Sequence, residues 1–251
     1  MKKCAVVTGA ASGIGLAIAK RLGQDNLNIV IADIDKIQGT KVAKELKGLF
    51  IQSDLSKATA CQALIKETVE HFGGVDILIN NAGFQQVSPI EHFPEKKWEQ
   101  MIALMLSAPF RLTKYAWPYM KEKNWGRVVN IASVHGLVAS PYKAAYISAK
   151  HGLLGLTKTA ALEGGEFGIT VNALCPGYVR TPLVENQIAD QAKSYGINED
   201  EVVEEIMLKA SAIKKMIEPN EIAELVNFLC SDNAKSITGA TWTIDGGWTA
   251  Q

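Results

Sequence analysis

No stretch of this chain approaches 18 consecutive apolar residues, so no membrane-spanning helix is expected. The opening Met1-Lys2-Lys3-Cys4-Ala5-Val6-Val7-Thr8-Gly9 has the basic start of a secretion signal. Only four apolar residues precede a glycine turn, however, which is too short for the apolar region of such a signal. Cysteine is sparse and scattered at Cys4, Cys61, Cys175 and Cys230, with no C-x-x-C pair. His71, His92, His135 and His151 show no H-x-x-x-H spacing. Neither a disulfide framework nor a metal site is therefore expected, and the thiols read as buried groups in a reducing, cytoplasmic setting. Charge of either sign is not in excess: 26 Lys plus Arg balance 26 Asp plus Glu. There is no basic field to recruit nucleic acid or acidic lipid, and near-zero charge favours self-association. Internal repeats, low-complexity tracts and Pro-rich linkers are also missing.

What is present is an ordinary globular composition, 47% apolar and 21% charged over 251 residues. A chain of this length buries roughly three quarters of its unfolded surface, enough for one large core, and a single domain over 1–251 is expected. Short apolar runs at Cys4–Val7, Ile29–Ala32, Leu49–Gln52, Ile77–Ile79, Val128–Ile131, Thr170–Leu174 and Thr241–Ile244 mostly lack in–out alternation. That pattern fits strands covered on both faces. Helix-length patterns lie between them at Gly13–Gly23, Lys36–Leu46, Lys57–Phe72, Glu95–Lys123, Tyr142–Leu162 and Asn220–Leu229. The alternation predicts an α/β fold: one doubly wound Rossmann domain with a seven-stranded, mostly parallel sheet and helices on both faces. Residues 183–217 are extra, with helical pieces at Leu183–Lys193 and Asn198–Ala210, and read as a lid inserted before the last strand.

The first strand runs into Thr8-Gly9-Ala10-Ala11-Ser12-Gly13-Ile14-Gly15, after which a helix begins. Glycines there allow a tight turn, and the helix start offers unpaired N–H groups to a pyrophosphate. The spacing is G-x-x-x-G-x-G rather than G-x-G-x-x-G, and alone it is weak. Asp33 follows the second strand, 18 residues past Gly15. A carboxylate at that point can accept from both ribose hydroxyls and repels a 2′-phosphate, so NAD is the expected cofactor, Lys36 being the one dissenting charge. Capping of the next helix is the alternative role for Asp33.

Tyr146 and Lys150 lie four apart in a helical pattern and so share a face, 13 and 17 residues after Ser133, which follows the fifth strand. A free phenol, with pKa near 10, is a poor base at neutral pH. One cation at about 4 Å in an effective dielectric of about 20 contributes on the order of 4 kcal/mol, or about 3 pKa units, which would bring the phenol near neutrality. Tyr146 then serves as base, Lys150 as the acidifying charge and as a holder of the nicotinamide ribose, and Ser133 as a hydrogen-bond donor to the substrate oxygen.

In this order the motifs resemble the short-chain dehydrogenase/reductase family over essentially the whole chain: Thr8–Gly15, Asp54-Leu55, Asn80-Asn81-Ala82-Gly83, Ser133, Tyr146-x-x-x-Lys150 and Pro176-Gly177. The resemblance implies that Gly9, Ser12, Gly13, Ile14 and Gly15 meet the cofactor, and that Asp54 and Leu55 flank adenine. It further implies that Asn81, Ala82 and Gly83 line the adenine ribose, while Pro176, Gly177, Val179 and Thr181 hold the nicotinamide end with Tyr146 and Lys150. One position departs from the family: Met105 stands where an Asn usually completes a proton relay, and a thioether lacks the amide's donors and acceptor. Lowered turnover is expected from it.

Lys143, His135, Gln85 and Gln187 place one cation and three hydrogen-bonding side chains near Ser133 and Tyr146, which suits a small carboxylate-bearing substrate. Ile131–Ser140, Thr181–Ile188 and Asp245–Gln251 resemble the D-3-hydroxybutyrate dehydrogenases within that family. That implies NAD-linked oxidation of (R)-3-hydroxybutyrate to acetoacetate, with Gln85, His135, Lys143 and Gln187 on the substrate carboxylate. Trp248 then closes the pocket from a neighbouring subunit of a homotetramer. Oxidation of another small hydroxy acid or alcohol, or a weakly catalytic NAD-binding redox sensor, remains open at this point.

Overall fold

The computed structural model describes residues 2–250, apart from the side chains of residues 183, 190, 191, 194 and 195. Met1 and Gln251, the ends of the expected 1–251 span, and the side chain that opens the expected lid at Leu183 lie outside that description. Seven strands form one sheet: β1 (Cys4–Thr8), β2 (Asn28–Asp33), β3 (Leu49–Gln52), β4 (Ile77–Asn80), β5 (Gly126–Ile131), β6 (Ile169–Pro176) and β7 (Thr241–Ile244). Their order is β3-β2-β1-β4-β5-β6-β7, and every neighbouring pair is parallel, more uniform than expected.

The uninterrupted apolar runs are explained by which layer each residue enters. Ala5, Val7, Ile29, Ile31, Ile77 and Ile79 pack on one face with Ile18 and Leu22 of α1 (Gly13–Gly23), Val42 of α2 (Lys36–Glu45) and residues of α9 (Pro219–Cys230). Cys4, Val6, Val30, Ala32 and Leu78 pack on the other face with Leu64 of α3 (Ala58–Phe72), Leu112 of α5 (Ala108–Glu122) and Ala160 of α6 (Ala144–Gly164). Because both faces are apolar, a period of two brings no polar residue into the pattern. Each fully buried Leu or Ile stabilises the fold by roughly 1.5–3 kcal/mol. The four cysteines are buried and unpaired.

The helical stretch expected over Glu95–Lys123 is interrupted. It comprises α4 (Glu95–Ile102), a π-helical turn at Ala103–Ser107, and α5. Pro109 in the first turn of α5 has no N–H to give the carbonyl of Met105 four residues back, and its ring crowds that carbonyl. The backbone widens to bypass the conflict.

After β6, Thr181 caps α7 (Pro182–Tyr195) by accepting from the Val184 N–H at 3.4 Å, and Pro182 fits the first turn. The helix stops at Gly196, whose φ of +67° is left-handed. The second expected piece is shorter as an α-helix than its pattern suggested: α8 (Glu199–Glu201) starts with a capping box between Asn198 and Glu201 and passes into a π-helical turn at Val202–Met207. Ile188, Ala192, Val202, Met207, Leu208 and Met216 form a separate small core of this region.

Candidate active site

Strand order reverses between β1 and β4, because β1 continues to β2 on one side and β4 to β5 on the other. Ligand crevices of open α/β sheets form at that switch, beyond the carboxyl ends of the strands. The turn after β1 is locked to the turn after β4. The Thr8 hydroxyl donates to the Ile79 carbonyl (3.1 Å) and accepts from the Asn81 and Ala82 N–H groups (2.9 and 3.1 Å), while Asn81 Nδ2 donates to the Thr8 and Gly9 carbonyls (2.8 and 3.1 Å). Gly9 has φ +63°, and a Cβ there would stand 2.9 Å from the Ala82 Cα, so this contact demands glycine. The Ser12 side chain does not cap α1, which leaves its first-turn amides facing the crevice for an anion.

Asp33 fixes the same turn, with Oδ2 accepting from the Ala11 N–H at 2.9 Å and Oδ1 from the Asp35 N–H at 3.0 Å. It does not cap α2; Asp35 does, accepting from the Gln38 N–H. A cleft of about 460 Å³ runs from Asp33, Asp54 and Leu55 past Asn81, Ala82 and Gly83 to Ser133, Tyr146 and Lys150. Gly9, Ser12, Gly13 and Ile14 line it on one side, and Pro176, Gly177, Val179 and Thr181 on the other. Among the described residues lining it, Lys150 is the single cation. Gly15 is not part of this lining; a Cβ there would run into the Gly9 carbonyl, so close packing of the turn demands glycine at this position. Ile34, Phe84, Leu104 and Val184 also line the cleft and were not anticipated. Their one signal is Ile34, a large apolar side chain left 65% exposed directly after Asp33.

At the far end, Ser133 is buried and its Oγ accepts from the His135 N–H at 3.2 Å. Lys150 Nζ donates to the Ile131 carbonyl at 2.7 Å and lies 5.5 Å from the centre of the Tyr146 ring. Burial brings the Lys150 ammonium down to about 8. Burial also raises the Tyr146 phenol, and the hydrogen bond with Ser133 pulls it back only in part. The expectation of a phenol already near neutrality is thus corrected: in this low-dielectric position the cost of burying a phenolate exceeds what the neighbours return.

None of the four residues expected to hold a carboxylate is part of the lining of this cleft. His135 is 4% exposed; its ring meets Tyr146 and Trp248 edge-on (centroids 6.1 and 5.6 Å), and its Nε2 pairs with Ser140 Oγ at 2.6 Å. Lys143 is half-buried, close enough to depress His135, and among the described residues no carboxylate lies within 4 Å of its ammonium. Gln85 Oε1 accepts from the neighbouring Gln86 N–H at 3.2 Å, and Gln187 lies on α7. The ring of Trp248 stacks on Tyr178 of the same chain, centroids 5.5 Å apart. Asp245 fixes the turn before it by accepting from Gly247 N–H, Thr249 N–H and Thr249 Oγ1. Met105 is fully buried beneath the wall; a Cβ on Gly83 would stand 3.1 Å from its sulfur.

His135 carries a pH expectation. Burial, then Lys143, lowers its pKa from 6.5 to about 4. The unfolded chain therefore binds more protons between these values, and folding stability falls as pH drops from about 6.5 to 4, by about 3 kcal/mol in full. Urea unfolding at pH 7 and pH 4.5 should show most of this loss in the wild type and little of it in His135→Asn. Equal losses in both proteins would refute the assignment.

Residues 9–249 match the family model described as enoyl-(acyl carrier protein) reductase. The chain is 49% identical to a D-beta-hydroxybutyrate dehydrogenase of Rhizobium meliloti over the full length of both, and 43% identical to one of Cupriavidus necator over 99% of this chain and 98% of that protein. A solved actinorhodin polyketide ketoreductase variant with NADPH superposes with a TM-score of 0.94 at 32% identity, covering all of this chain and 98% of the other. With its glycine turn, its switch-point cleft and its Ser133, Tyr146 and Lys150 together at one end, the chain belongs to the short-chain dehydrogenase/reductase family of oxidoreductases.

Proposed function

We propose that the protein oxidises (R)-3-hydroxybutyrate to acetoacetate, reversibly, with NAD. The observation that carries the substrate class is Lys143, a half-buried cation close enough to His135 to depress it, with no carboxylate within 4 Å of its ammonium among the described residues. Burying an unpaired ammonium is costly, and a substrate carboxylate offsets that cost. The two D-beta-hydroxybutyrate dehydrogenases matched over the whole chain support the same reading.

The residues fit a nicotinamide dinucleotide. Amides at the start of α1 suit a pyrophosphate, Asp33 suits ribose hydroxyls and disfavours a 2′-phosphate, and no cation lines that end of the cleft among the described residues. When bound, an oxidised nicotinamide accepts hydride and adds a positive charge that favours the phenolate. Ser133 donates to the substrate oxygen and holds the reacting alcohol against Tyr146. Tyr146 takes the hydroxyl proton as the C–H bond gives up its electron pair. Lys150 orients the ribose and stabilises the phenolate. His135, tied to Ser140, presents a neutral ring beside the pocket, and the stacked Tyr178–Trp248 pair limits its size. Residues 183–217 act as a lid on the single domain. A homotetramer in a cytoplasmic setting is supported by the zero net charge, the buried free thiols and the exposed Phe110 and Leu162 on α5 and α6.

NADH formation at 340 nm tests this directly. (R)-3-hydroxybutyrate with NAD should give a kcat/KM at least about tenfold above both its uncharged methyl ester with NAD and the acid with NADP. An ester that matches the acid would dismiss the carboxylate clamp, and equal use of NADP would dismiss the role of Asp33.

A further inference from the structure

Four non-glycine residues among those described have positive φ: Asn26, Lys47, Asn124 and Tyr142. The first three lie just past the ends of α1, α2 and α5, where a left-handed residue commonly terminates a helix. Tyr142, at φ +67°, has no such reason. It precedes α6, it is aromatic, and its side chain is 57% exposed, so ring packing does not hold the backbone in that state. Pro141 and Tyr142 are the central residues of a turn, and a turn with Pro first and positive φ second ordinarily carries Gly or Asn at the second position.

The turn is pinned on both sides. Ser140 Oγ pairs with His135 Nε2 at 2.6 Å, and the Tyr142 carbonyl accepts from the Ser88 N–H at 2.9 Å, which ties it to the loop that bears Gln85. The next residue is Lys143, whose carbonyl accepts from Ile147 N–H in the first turn of α6, and Tyr146 and Lys150 follow on the same helix. Strained backbone of this kind persists where the surroundings fix it, and functional sites are where it collects.

We propose that Tyr142 is a positioning residue for substrate recognition: its left-handed backbone turns Lys143 inward toward the substrate carboxylate while the chain enters α6 in register for Tyr146 and Lys150. The inference rests on the carboxylate clamp proposed above. It concerns the backbone of residue 142 and not its ring, so glycine or asparagine should do as well, and a β-branched residue, which resists positive φ, should not.

The experiment measures kcat/KM for (R)-3-hydroxybutyrate relative to its methyl ester, with saturating NAD, in Y142G, Y142N, Y142A, Y142V and K143A. K143A should lower the acid-to-ester ratio about 10- to 100-fold. Y142V should lower it about tenfold, mainly through KM for the acid, while Y142A, Y142G and Y142N stay within about twofold of the wild type, because none of them adds a branch at Cβ. Should Y142V fail to fold, Y142T, also β-branched, replaces it. A ratio unchanged in the β-branched variant while K143A lowers it overturns the positioning role and spares the clamp. A fall in Y142G or Y142A as large as in Y142V also overturns it, because the ring would then be responsible. An unchanged ratio in K143A overturns the clamp itself, and the inference with it.

Discussion

Tyr146→Phe should lower kcat for hydroxybutyrate oxidation by about 10²–10⁴-fold, the range that a positioned general base contributes. The substitution removes one oxygen and keeps the ring. The edge contact with His135 and the placement on α6 therefore persist, and Ser133 Oγ still accepts from the His135 N–H. Nothing in the dinucleotide half of the cleft changes, so NADH affinity from fluorescence titration should stay within about threefold. Because the phenol acts on the proton in the transition state, the deficit should appear in kcat and in kcat/KM alike. A variant retaining more than a tenth of wild-type kcat would mean that another group takes the proton.

Lys150→Met should cost about 100-fold in kcat/KM at pH 7, and the deficit should shrink as the pH is raised. The ammonium lies 5.5 Å from the ring centre, and a cation this near an ionising group favours its anion by roughly 1–3 pKa units. Burial pushes the phenol the opposite way, so removing the ammonium leaves that push opposed only by the bond with Ser133. The rising limb of the pH–rate profile should therefore move to higher pH by about 2 units, up to the range where Lys150, at about 8, would itself have lost its proton. A lower rate with an unmoved limb would assign Lys150 to ribose binding alone. Thermal melting of the variant controls for the Ile131 carbonyl, which loses its donor.

The sheet was readable because a strand buried on both faces leaves an apolar run bounded by turns, and all seven runs lie within strands extended by no more than three residues. The fourth helix was less readable. Pro109 follows a good helical pattern, and periodicity alone does not show that its missing N–H turns Ala103–Ser107 into a π-helical turn. At the site, Ser133, Tyr146 and Lys150 were legible because a fixed helical spacing and a strand end put them together. The acidity of Tyr146 was not, because it depends on how much water the fold excludes. Gln85, His135, Lys143 and Gln187 show the limit of reading polar side chains by position: their places along the chain bring them near Ser133 and Tyr146, but none is part of the lining of the cleft. The stacking of Trp248 on Tyr178 was not readable either, since it depends on the Asp245 turn, which carries no periodic signal.

The region between β6 and β7 has its own apolar centre around Ile188, Val202, Met207 and Met216, separate from the two layers that flank the sheet. Changes of size or polarity on its inner side can therefore accumulate without disturbing the strands that carry the proton-handling groups. Descendants of such an ancestor can retune which molecule they accept by editing one module, while the reaction itself is inherited intact.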